Sequence, residues 1–71
     1  MKIFASKESI VTLENVRRID KQTNGTGAKS NPIDARIRIL YADGESEFLH
    51  YDTDAETRDA DYLKMAQILR D

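Results

Sequence analysis

The chain has no cysteine and no tryptophan, one histidine, one proline and three glycines in 71 residues. Each scarcity excludes a class of chemistry. Without thiols there is no disulfide framework, no cysteine-based zinc site and no thiol nucleophile. The lone His50 cannot supply the four nitrogen or sulfur ligands of a structural zinc, and the serines fall in apparent turns or strand ends with no base beside them. The sequence therefore assigns no catalytic residue, no cofactor-binding residue and no metal ligand, and the chain reads as a non-enzyme. Long apolar runs are also missing: the N-terminal one, Ile3-Phe4-Ala5, has three residues, where a signal peptide needs roughly seven to fifteen and a membrane span roughly twenty. The expectation is a cytoplasmic protein that does not enter a membrane. Asn24-Gly25-Thr26 matches a glycosylation pattern but, with no secretory signal, reads as an ordinary Asn-Gly loop.

What is present is a modest apolar fraction, 39%, against 34% charged residues and a net charge of -2. That balance is globular rather than disordered and fits one small domain, residues 1–71. Such a chain buries only about 60% of its unfolded surface, so its stability rests on few side chains.

Two short β-prone runs, Lys2 to Ala5 and Ile10 to Leu13, flank Ser6-Lys7-Glu8-Ser9, the composition of a polar hairpin connection. Val16 to Thr23 continues as an extended segment. Leu13 and Val16 break strict alternation across Glu14-Asn15, which predicts a bend or bulge with Asn15 near the left-handed region. Residues 24–34 hold two of the three glycines and the only proline, and are expected to form a flexible loop. Ala35 to Tyr41 alternates cleanly, and Asp43-Gly44 turns the chain back into Glu45 to Tyr51. Two registers compete. A two-residue turn pairs Ile39 with Phe48, whereas a three-residue loop with Gly44 as the bulge pairs Ile37 with Leu49 and Arg36 with His50. The second keeps Ala35, Ile37, Leu49 and Tyr51 on one apolar face and is preferred.

From Thr53 the period changes. Tyr62, Met65, Ala66 and Leu69 fall at helical spacing, flanked by Leu63 and Ile68. Thr53-Asp54-Ala55-Glu56 has the spacing of a capping box, while Asp59 on the apolar stripe offers a later start as the cap. The fold class is α+β: an antiparallel β-meander of four to five strands packed by one C-terminal α-helix. The order of these elements, with a Leu-x-Asn-Val-x-x-Ile segment, an Ile-x-Ile strand and an Asp-Gly turn, resembles short bacterial proteins and, loosely, a shortened pleckstrin-homology-like sheet. The likeness concerns architecture and assigns no function.

Two motif readings fail on their spacing. Gly25-Thr26-Gly27-Ala28-Lys29-Ser30 departs from a phosphate loop, with Ala28 in place of the glycine before Lys29, Gln22 in place of the first glycine, and Pro32 interrupting the helix that should follow. The run from His50 to Glu56 departs from a calcium loop, with Thr57 and Leu63 where a glycine and a bidentate acid are needed. Charge is the informative feature: residues 1–42 are net +4 and residues 43–71 net -6. Arg17, Arg18, Arg36 and Arg38 fall on adjacent extended segments, and the preferred register puts Arg36 and Arg38 on one face with Phe48 and His50. This set is the candidate interaction face, and Lys29 the candidate loop contact. The expected role is a small interaction module whose partner is another protein or a second copy of the chain. The alternative is single-stranded nucleic acid, with phosphates on the arginines and bases on the rings.

Overall fold

The computed structural model describes residues 2–6 and 9–71, in the order β1 (Ile3–Ala5), β2 (Ile10–Thr12), β3 (Val16–Asn24), β4 (Asp34–Tyr41), β5 (Ser46–His50) and α1 (Ala55–Arg70). Lys7 and Glu8, half of the expected β1–β2 connection, lie outside the described residues. All strand pairs are antiparallel, and the fold is α+β.

The expected single meander is corrected in one respect: β1 and β2 form their own two-stranded sheet, and β3, β4 and β5 form a second. The break falls at residues 13–16. Leu13 is buried and Asn15 takes a φ of 59°, so the chain turns sharply into β3 instead of pairing along it. An asparagine tolerates this left-handed conformation better than most residues. A bulge between Val16 and Arg18 follows, with Arg17 as the extra residue.

The β4–β5 connection has Tyr41 N–H bonded to the Glu45 carbonyl (2.9 Å), Gly44 N–H bonded to the Tyr41 carbonyl (3.0 Å), and Gly44 at φ 92°. This is the three-residue loop with a glycine bulge, and it sets Arg36 opposite His50 and Ile37 opposite Leu49. The register is the one that keeps the apolar set together. At the other end of β4, Asn24 and Asp34 close the β3–β4 ladder, and Asn31 bonds back to Thr26, Gly27 and Ala28 across the connection. Gly25 has φ 83° and runs against the Pro32 carbonyl, so no side chain fits there.

One face of the three-stranded sheet is covered. Ala35, Ile37 and Ile39 of β4 and Leu49 of β5 are buried there, packed with Met65 of α1 and with Phe4, Val11 and Leu13 of the β1–β2 hairpin. Each fully buried aliphatic side chain contributes roughly 1.5–3 kcal/mol, so these few residues carry the fold.

The helix starts at neither expected cap. Asp54 is the N-cap, its carboxylate accepting the Thr57 N–H at 3.0 Å and the Thr57 hydroxyl at 2.7 Å. Asp59 lies within the helix, bonded to the neighbouring Arg58. The inward stripe holds the expected Tyr62, Met65 and Leu69 with Ile68 beside them, and it adds Arg58 and Asp61, whereas the expected flank Leu63 is 68% exposed. Two buried charged residues replace the apolar ones that periodicity favours, and both find partners on the sheet. Arg58 donates to the Gln22 carbonyl (2.6 Å) and the Thr23 hydroxyl (3.1 Å) of β3. Asp61 accepts from the Tyr51 hydroxyl at 2.8 Å.

Candidate interface on the open sheet face

Opposite residues in an antiparallel ladder share a face. The registers therefore place Arg18, Asp20 and Gln22 of β3, Arg36, Arg38 and Leu40 of β4, and Ser46, Phe48 and His50 of β5 together on the face that neither α1 nor the β1–β2 hairpin covers. Of the predicted set, Arg18, Arg36, Arg38, Phe48 and His50 are brought together. Arg17, as the bulge residue, falls outside the alternation, and Lys29 stands apart in the exposed β3–β4 connection.

The centre of this face is a stacked group. The Arg36 guanidinium lies 4.7 Å from the centre of the Phe48 ring, and the Phe48 and His50 rings are 6.3 Å apart. Stacking of this kind contributes about 0.5–1 kcal/mol at an exposed site. Arg36 Nε is buried in the stack with no hydrogen-bond partner. Two carboxylates flank the cations: Asp20 accepts from Arg18 at 3.1 Å, and Asp34 lies 4.0 Å from His50 Nδ1. Among the described residues, no hydrogen bond or ion pair engages Arg38. Phe48 remains 39% exposed, a large apolar ring at the edge of a polar face.

β5 also carries an edge that no described strand pairs: in the order β3-β4-β5 its outer side has no neighbour among the described residues. Tyr41 bonds to Glu45 and Tyr51 N–H donates to the Ala35 carbonyl at 2.8 Å, so the odd-numbered residues face β4. By the alternation of an antiparallel ladder, the N–H and C=O groups of Ser46, Phe48 and His50 point outward. A groove of about 510 Å³ opens beside the C-terminal half of β5, lined by residues 48–54, Thr57 of α1, and Ser6 and Ser9.

Two tyrosines border the covered side. Burial, then the bond to Asp61, pushes the Tyr51 hydroxyl pKa well above its ordinary value, and burial followed by Glu47 raises that of Tyr41. Both bonds need the phenolic proton, donated to Asp61 and to Glu47 (3.2 Å) respectively. Among the described residues no group of side chains is placed to hold a metal ion, and no helix is long and apolar enough to cross a membrane.

The sequence missed Arg58 and Asp61 as buried residues and the free edge of β5. The edge had a signal: β5 follows a tight hairpin and leads directly into the helix, so the sequence next to it offers no strand to pair with its outer side. Comparison with family models, with curated proteins and with solved structures finds no match.

Proposed function

We propose that the chain acts as a small non-enzymatic interaction module that engages a protein partner through the open face and free edge of β3–β4–β5. The observation that carries this reading is the unpaired β5 edge beside a 39% exposed Phe48. Natural sheets usually blunt or cover such an edge, and an exposed aromatic flanked by arginine has the composition of an interface centre. Phe48→Asp tests it. The variant keeps its melting transition and loses a partner that the wild-type chain captures from cells. Equal capture by both would remove the reading.

A second reading, binding of single-stranded nucleic acid, draws on Arg38 having no acidic partner among the described residues and on the Arg36–Phe48 stack. Against it, the guanidinium already occupies one face of the Phe48 ring, Asp20 and Asp34 stand among the cations, and the chain is net -2. A labelled single strand that binds at about 50 mM salt, is released steeply as salt rises, and is lost on Arg36→Glu with Arg38→Glu would favour this second reading.

A further inference from the structure

The sheet has two edges, and they are built differently. The β3 edge carries a bulge and the charged run Arg17, Arg18, Asp20 and Lys21. These are the devices by which proteins prevent strands from adding to a sheet. The β5 edge has none of that set: Ser46-Glu47-Phe48-Leu49-His50 contains no proline, no lysine and no bulge, and its one charge, Glu47, accepts a bond from Tyr41. A groove of about 510 Å³ opens beside its C-terminal half, at Phe48, Leu49 and His50. Five strand residues extend roughly 17 Å, enough to pair with a partner segment of similar length.

The charges at the two ends of β5 indicate the occupant. Asp43 and Glu45 stand before the strand and Asp52 after it, all exposed. In a symmetric antiparallel pair of two β5 strands, Phe48 meets its own copy, which is the register that uses every outward N–H and C=O of Ser46, Phe48 and His50. That register brings Asp52 of each copy beside Asp43 and Glu45 of the other, like charges at both ends. The same acids attract a cationic segment. We infer that the β5 edge accepts an extended, lysine- or arginine-bearing peptide segment of a partner protein as a fourth strand, with the acidic ends favouring that partner over a second copy. This rests on the proposed interaction role and names its edge, its mode and its partner's charge.

Amide spectra of the full chain test it, with a peptide of about nine residues alternating Lys and Thr and a counterpart alternating Glu and Thr, each titrated to the millimolar range expected of a short added strand. The Lys peptide should shift and protect the amides of Ser46, Phe48 and His50, leave the β3 edge unmoved, and weaken as salt rises; the Glu peptide should leave all of them unmoved. Ser46→Pro, which removes an outward N–H without touching the β4 ladder, should cut the affinity about tenfold or more. Asp52→Asn should cut it about two- to threefold, and asparagine tolerates the φ of 53° at that position. Equal shifts from both peptides, no shift at β5, or concentration-dependent shifts of these amides without peptide would overturn the inference. If the edge stays silent while the Phe48→Asp variant still loses its captured partner, the strand mode fails and the wider interaction reading stands.

Discussion

The two faces of the three-stranded sheet divide the work of the molecule. On the covered face, Ile37, Ile39, Leu49 and Met65 pack with the β1–β2 hairpin, and every charged group taken inward has a partner across the interface. On the open face, Arg36 lies over Phe48 with its Nε unsatisfied, and Arg38 has no ion pair among the described residues. A small fold that satisfies Arg58 and Asp61 while leaving Arg36 Nε and Arg38 without a hydrogen-bond partner among the described residues has placed its stabilising contacts on one side. The difference separates residues that hold the fold from residues that are available to a partner.

Substitutions can break that comparison, beginning with the core. Met65→Ala empties a fully buried site and should cost about 2–5 kcal/mol in urea unfolding, whereas Leu63→Ala, two residues away and 68% exposed, should change stability by no more than about 0.5 kcal/mol. Equal losses would mean the helix presents a different stripe to the sheet. Next comes the Tyr51–Asp61 bond. Tyr51→Phe leaves the nearly buried Asp61 without its donor and should cost about 1–3 kcal/mol. Its pH dependence has a definite sign. Because the folded state raises the Tyr51 pKa, the bond's contribution is complete below about pH 10 and declines as pH rises above it, where the unfolded chain releases the proton first. The variant should therefore lose less stability between about pH 10 and 12 than the wild type does.

The open face should respond in the opposite way. Phe48→Asp and the Arg36→Glu, Arg38→Glu double variant should each shift stability by only about 1 kcal/mol in thermal unfolding, set by the lost stack and surface charges, while abolishing partner capture. A collapse of the fold on either change would show that the face is structural. The smallest effect is expected at Asn15. Asn15→Gly relieves the left-handed backbone and should leave unfolding unchanged within about 0.5 kcal/mol, whereas Asn15→Val should cost more.

The open face was legible in the sequence because one turn determines it. Asp43-Gly44 and the alternation of Ala35, Ile37 and Ile39 select the register, and the register places Arg36 and Arg38 with Phe48 and His50. Asn15 was legible for a similar local reason, since the three-residue step from Leu13 to Val16 demands a reset. Arg58 and Asp61 were not. On a helix with no tertiary context they read as solvated charges, and the groups that allow their burial lie on other elements, the Gln22 carbonyl on β3 and the Tyr51 hydroxyl at the end of β5. The split into two sheets was hidden in the same way: it depends on Leu13 turning inward to meet Ile37 and Met65, a long-range packing choice that strand propensity does not record.

The most direct test of the central claim is residue-resolved amide exchange along β5 in the free, dilute protein. Leu49 and Tyr51, whose N–H groups face β4, should be protected, while Ser46, Phe48 and His50 should exchange freely, an alternation that marks an unpaired edge open to a partner. Uniform protection of all five amides would show that the edge is already covered and would contradict the account.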